Sequence, residues 1–194
     1  MTRKKVAILI SGRGSNMATL IDAAKASDYP AEIVGVLSNK ASAPGLEVAA
    51  ANGIATASLA QSKFPSRDMF EDTMTQVLES WETDIVCLAG FMRILGEDFV
   101  ARWQGRMINI HPSLLPAYKG LHTHERALED GAKEHGCTVH FVTPGLDEGP
   151  SILQARVPVL ADDTPDTLAA RVLVEEHRIY PEALRLLASG KASA

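Results

Sequence analysis

The segment that most restricts the fold is Val6–Ile10, five consecutive apolar residues that run directly into "SGRGSNM". A run this short and this uniformly apolar, closed by glycines, reads as a strand buried on both faces, as in a parallel sheet covered by helices. From Asn16 the period changes: Met17, Leu20, Ile21 and Ala24 recur at helical spacing, with Ser15 or Asn16 as the expected cap. Strand then helix recurs along the chain. Glu32–Leu37 reads as a strand and Pro44–Asn52 as a helix ended near Gly53. Arg67–Trp81 carries Phe70, Met74, Val77, Leu78 and Trp81 on one helical face, and Ile85–Ala89 follows as a buried strand.

Met107–Ile110 predicts a further strand, and a helix is expected around His124–His135. Cys137–Thr143 and Ile152–Val159 read as late strands, and a long final helix is expected from about Thr167. This alternation specifies an α/β, Rossmann-like three-layer sandwich with a mostly parallel central sheet. The two late strands are close enough in sequence to introduce an antiparallel strand at the edge. No repeat or low-complexity linker divides the chain, so a single domain over residues 1–189 is expected, with 190–194 as a flexible C-terminal tail.

A formal charge of -5 argues against non-specific nucleic-acid binding. Arg3, Lys4 and Lys5 form the one compact basic run and read as the solvated start of the first strand. Cys87 and Cys137 both lie in apolar sequence, which does not suggest an extracellular disulfide scaffold. No segment has the 18 or more consecutive apolar residues of a membrane helix, and "VAILI" lacks the flanks of a signal peptide. A cytoplasmic protein with no membrane partner is the expectation.

Three places carry chemistry. In "SGRGSNM" a strand turns into a helix through small residues, leaving amides at the helix start for phosphate oxygens; the plain alternative is a tight turn with an N-cap. Met17 replaces the third glycine of the dinucleotide fingerprint and "LSNK" lacks its ribose-binding acid, so a monophosphate fits better than NAD. At Met107–His111, Asn109 and His111 alternate with Ile108 and Ile110, placing the polar pair on one side of a strand end where an α/β sheet opens its ligand crevice. Here the bland alternative is a hydrogen-bonded strand cap. Asp147, between Gly145 and Gly149, sits in a turn from which a carboxylate could favour a charged imidazole, or simply face solvent. His122 and His124 invite a metal reading, but H-E-x-x-H is absent and neither cysteine has a local partner, so no metal is expected. His135 and His177 read as helix-end or surface groups, and His140 as a buried hydrogen-bonding support.

"SGRGSNM", "LAGFMRIL", "INIHPSLLPAYKGLHTH" and "VHFVTPGLDEGPSILQ" together resemble the phosphoribosylglycinamide formyltransferase family, folate-dependent formyl-transferring enzymes of purine synthesis, over nearly the whole chain. The resemblance implies Asn109, His111 and Asp147 as the catalytic trio. It implies Gly14, Ser15, Asn16 and Glu176 as binding glycinamide ribonucleotide, and Arg67, Met92, Arg93, Ile94, Leu95 and Asn109 as binding the folate. The implied reaction transfers a formyl group from 10-formyltetrahydrofolate, the cosubstrate, to the primary amine of glycinamide ribonucleotide, without a metal and in a monomer or weak homodimer. One departure stands out: Glu148 follows the key acid where some relatives carry a smaller residue.

Three other functions compete. A formyltetrahydrofolate hydrolase shares the trio but is expected to carry an added N-terminal regulatory domain, for which a first strand at Val6 leaves no room. Methionyl-tRNA formyltransferase is disfavoured by the acidic charge and by the expected absence of a C-terminal domain. A noncatalytic nucleotide-binding protein has no use for the whole Asn–His–Asp set.

Overall fold

The computed structural model describes residues 2–194. Seven strands form one sheet: β1 (Lys4–Ile10), β2 (Ala31–Ser38), β3 (Ala55–Ser58), β4 (Ile85–Leu88), β5 (Met107–His111), β6 (Glu134–Phe141) and β7 (Ser151–Pro158). Their order is β3-β2-β1-β4-β5-β6-β7. β1 to β5 pair in parallel, whereas β6 runs antiparallel to both β5 and β7. The expected mostly parallel sheet with a late antiparallel strand is therefore present. The strand order reverses at β1 and β4, the place where such sheets open a crevice beyond their carboxyl ends.

Six helices cover the sheet: α1 (Ser15–Ala24), α2 (Pro44–Ala51), α3 (Arg67–Ser80), α4 (Glu97–Arg102), α5 (Thr123–Glu129) and α6 (Pro165–Ala188). Period-two alternation divides each strand between two cores. Val6, Ile8, Ile10, Cys87, Ile108 and Ile110 pack with Met17 and Leu20 of α1 and with Val172, Tyr180 and Leu184 of α6. Ala7, Leu9, Val86, Leu88 and Met107 pack on the opposite face with Phe70, Met74 and Leu78 of α3 and with Phe99 of α4. Met107 lies on the α3 face, so Asn109 and His111 continue along that face while the isoleucines are buried on the other. No helix among the described residues is long and apolar enough to cross a membrane.

The helix expected around His124–His135 is much shorter. It ends at Glu129, Gly131 turns the chain at φ 63°, and His135 belongs to β6, buried at 1% exposure rather than at a helix end or on the surface. His177 lies inside α6, not at its end. α1 is capped by Gly14 at φ 71°, so Ser15 and Asn16 occupy its first turn rather than the cap; the left-handed backbone there is one that glycine adopts without a Cβ penalty. α6 starts two residues before the expected Thr167. Thr164 and Thr167 cap each other reciprocally ahead of Pro165, which tolerates the first helical position because its N–H would be unpaired there anyway. β3 and α4 are additions to the expected set. Arg3 is not merely solvated: its guanidinium donates to the carbonyls of Ala24, Tyr29 and Ala31.

The loop from β6 back to β7 carries Asp147 and is pinned where it rejoins the sheet. The Phe141 amide donates to the Pro150 carbonyl at 2.9 Å, and a Cβ at Gly149 would lie 1.7 Å from the Phe141 oxygen. Gly149→Ala must therefore push the loop off β6. It is expected to cost about 2 kcal/mol or more, a Tm drop of roughly 5 °C in a chain of this size. Thermal unfolding checks this, and an unchanged Tm refutes the pinning.

Candidate active site

The site begins with the register of β5 against β6, which sets Asn109 opposite His140 and His111 opposite Thr138. Directly opposed residues of an antiparallel pair share a face of the sheet, so His140 joins the polar pair at the crevice. His140 is buried at 3% exposure, and burial pushes its pKa below the ordinary histidine value, which keeps the ring neutral. Its Nδ1–H donates to the Phe141 carbonyl at 2.9 Å, leaving the Nε2 lone pair to accept from Asn109 Nδ2 at 3.3 Å. That bond orients the Asn109 carboxamide, whose second N–H and carbonyl remain for the cleft.

His111 is buried and bridges two loops. Its Nε2–H donates to the Tyr118 carbonyl at 2.9 Å, and its Nδ1 lies 3.4 Å from Asp147 Oδ2. Both ring nitrogens thus face oxygen acceptors, an environment that an imidazolium with two N–H donors satisfies. The Asp147 carboxylate is held by the Gly120 amide, which donates to Oδ2 at 2.9 Å. Its Oδ1 lies 3.7 Å from His140 Nε2. Asn109, His111 and Asp147 therefore converge as expected, with His140 as the hub behind them.

The glycine turn lies at the carboxyl end of β1. Its helix-start amides have no partner inside α1, and Gly14 opens the turn in the left-handed region. Asn16 Nδ2 donates to Glu176 Oε2 at 2.7 Å, joining α1 to α6 across 160 positions. Glu176 is almost fully buried; burial raises its pKa, partly offset by the Asn16 bond. Asn16 Oδ1 is buried without a hydrogen-bond partner, an acceptor that a bound hydroxyl or amine would satisfy. β1 and β5 flank β4, so this turn lies about two strand spacings, roughly 10 Å, from Asn109.

Beside Asn109 a cleft open to solvent is lined by Leu88, Phe91, Val100 and Val142 together with the segment Arg93–Leu95 and the loop Thr143–Asp147. Its walls also include Asn109, His140 and Asp147. Met92 lies outside this lining: its side chain is exposed and its amide donates to Ser11 Oγ at 2.8 Å. Arg67 sits at the rim, 3.8 Å from Glu71, whose carboxylate accepts from the Gly96 amide at 2.8 Å just past Leu95. Burial raises the Glu71 pKa, with the Gly96 amide and Arg67 opposing.

The remaining histidines do not join the trio. His122 is exposed beside Glu125, and His124 Nδ1 lies 3.1 Å from His135 Nε2. Among the described residues no three His, Cys, Asp or Glu side chains form a metal cage. Burial, followed by the neighbouring histidines, pushes His135 down to about 4, and burial also lowers His124. Unfolded, each titrates near 6.5, so the unfolded chain takes up protons that the folded one refuses as pH falls from 6.5 towards 4. Stability is therefore lost over that window, with His135 contributing on the order of 2 kcal/mol between pH 7 and pH 5. Urea unfolding at both pH values checks this: His135→Gln is expected to flatten the pH dependence, and an unaltered slope refutes the assignment.

Residues 4–184 match the family described as formyl transferase. The chain is 50% identical over 186 residues to the phosphoribosylglycinamide formyltransferase of Escherichia coli (strain K12), covering 96% of this chain and 88% of that protein. It is 52% identical over 190 residues to the trifunctional purine biosynthetic protein adenosine-3 of Drosophila pseudoobscura pseudoobscura, covering 97% of this chain but spanning only 14% of that longer protein. The crystal structure of phosphoribosylglycinamide formyltransferase from Brucella melitensis superposes with a TM-score of 0.94 at 55% identity, and the match covers 100% of both chains. A match across nearly the whole chain, at half identity and with the same fold, places this protein in the formyl transferase family.

Proposed function

We propose that the chain transfers the formyl group of 10-formyltetrahydrofolate to the primary amine of glycinamide ribonucleotide, giving formylglycinamide ribonucleotide and tetrahydrofolate in purine synthesis. The observation that carries this reading is that Asn109, His111 and Asp147 meet at one edge of the sheet with two different surfaces close by. One is a glycine turn with helix-start amides and the Asn16–Glu176 pair; the other is a largely apolar cleft that runs along Arg93–Leu95. A phosphate suits the turn, where amides and the helix dipole favour an anion. Glu176 and the unpaired Asn16 Oδ1 suit a ribose hydroxyl or the amide of the acceptor. A flat ring suits the cleft, and Arg67 at its rim suits the acidic tail of a folate. The protein is further proposed to act in the cytoplasm, without membrane or nucleic-acid partners, as a monomer or weak homodimer, with residues 1–189 as one catalytic domain and 190–194 as a tail.

The folate supplies an activated formyl group; the chain supplies placement and charge. Asn109, its carboxamide oriented by the bond to His140, presents its second N–H to the formyl oxygen as negative charge grows there. His111 adds a second donor. Both its N–H positions are satisfied within the protein, so turning Nε2–H to the reacting oxygen exchanges the Tyr118 carbonyl for it, while Nδ1 keeps Asp147. Asp147 holds the ring in orientation and offsets its charge without touching the formyl carbon. The proton lost by the attacking amine reaches the departing nitrogen through His111, Asp147 or a water between them.

A formyl-transfer assay with glycinamide ribonucleotide present or omitted tests the reading. Product is expected only when the amine is present; folate hydrolysis at an equal rate without it assigns a hydrolase instead. Asp147→Asn and His111→Ala are each expected to lower kcat by about 10²-fold or more with folding intact. The double variant should fall far short of the summed free energies, because the residues act as a unit. Additive losses would separate their roles. Removing the phosphate from the amine substrate should lower kcat/KM by roughly 10–100-fold, the worth of a charge-assisted hydrogen bond at about 1.5–3 kcal/mol. Asn16→Ala should likewise impair substrate use. Equal efficiency with and without the phosphate removes the glycine turn from the site.

A further inference from the structure

We propose that Lys119 and Glu148 form a clasp that positions Asp147 against His111, so that this ion pair tunes the rate of the transfer proposed above, on which the inference rests. Two consecutive rungs join the segment after β5 to the loop after β6. The Gly120 amide donates to Asp147 Oδ2 at 2.9 Å, and Lys119 Nζ donates to Glu148 Oε1 at 2.9 Å. The first rung holds the carboxylate that faces His111; the second is its immediate neighbour in both segments.

The lysine end of the outer rung is anchored, and the glutamate end lies back on its own loop. The Lys119 carbonyl accepts from Arg126 Nη1 at 2.7 Å, so the ammonium is presented from a fixed backbone. Glu148 folds back over its own loop, with Oε2 only 2.2 Å from where a Cβ on Gly145 would stand. The segments need holding. Tyr118 at φ 53°, Gly120 at 78° and His122 at 56° are left-handed on one side, and Asp147 at 51° on the other. Non-glycine residues in that region persist only where their surroundings enforce them. The same segment carries the Tyr118 carbonyl that His111 must release and retake. The two side chains are partly exposed, at 36% for Lys119 and 58% for Glu148, so the clasp is modest in strength and screened by salt.

The test compares Glu148→Gln and Lys119→Met with Lys119→Arg, which keeps charge and reach. At low salt and saturating substrates the first two are expected to lower kcat by about two- to fivefold, with little change in either KM or in Tm, while Lys119→Arg stays near the wild type. Raising KCl to 0.5 M should cost the wild type the same factor and leave Glu148→Gln unaffected, a pattern that general destabilisation does not give. Exchange of the Gly120 amide with deuterium, read by NMR, should accelerate by a similar factor in Glu148→Gln. Unaltered kcat and unaltered Gly120 exchange in that variant would overturn the clasp. Should the wild type form no formylated product, the functional reading falls, and the Gly120 exchange rates alone decide whether the clasp exists.

Discussion

The reversal of β6 is the constraint on which the site depends. A sixth parallel strand would require a long crossover and would deliver its carboxyl end, not its body, to the crevice. Running β6 antiparallel sets His140 directly across from Asn109 and sends the chain out of the sheet beside Met107, at the end where β5 begins. The loop back to β7 then folds over the face of β5 that carries Asn109 and His111, and brings Asp147 against His111 and His140. Gly149 packs so closely on the Phe141 carbonyl that the return point of this loop is fixed by the sheet itself. One strand direction thus supplies both the group that orients Asn109 and the acid that faces His111.

That arrangement gives two buried histidines opposite duties through their acceptors alone. His140 meets one carbonyl on Nδ1 and an amide N–H on Nε2, a pattern that a neutral ring satisfies, and its burial favours that state against the Asp147 carboxylate 3.7 Å from Nε2. His111 meets an acceptor on each nitrogen, which a charged ring satisfies. The site therefore places a fixed neutral acceptor behind Asn109 and an imidazole paired at both nitrogens beside it, without a second carboxylate in the trio.

The parts of this arrangement that were legible in the sequence are those with a local period. "MINIH" declares its two faces by alternation, and "VAILI" followed by "SGRGSN" declares a buried strand entering a glycine turn. The convergence of Asp147 on His111 was available only through the family resemblance, because a loop acid between two glycines has no local mark of its partner. His135 was misplaced because "HERALEDGAKEH" keeps helix-forming residues on both sides of Gly131, and the glycine that ends α5 looks locally like a tolerated interruption. β3, with only four residues and an exposed surface, and α4, with six, are too short to show a period. The pairing of Asn109 with His140 is a register between strands 31 positions apart. The Tyr118 carbonyl and the Gly120 amide are backbone groups, and any residue types would offer them.

Those backbone partners explain why so much irregular chain is held in a costly shape beside a regular sheet. Thr138 Oγ1 donates to the Ser113 carbonyl at 2.7 Å and accepts from the Leu115 amide and from Gln154 Nε2, while Ser113 Oγ donates to the Ala117 carbonyl at 2.6 Å. β6 and β7 thus bind the near end of the segment whose far end gives His111 its carbonyl and Asp147 its amide. Left-handed residues at Tyr118 and His122 aim those groups inward, which an extended or helical path would not do. Non-glycine residues there cost of order 1–3 kcal/mol each, offset by hydrogen bonds that exist only in this conformation. His111 is consequently held by peptide groups with little freedom to reorganise. For the proposed transfer this leaves one exchange, of the Tyr118 carbonyl for the reacting oxygen, within a frame that is otherwise already oriented.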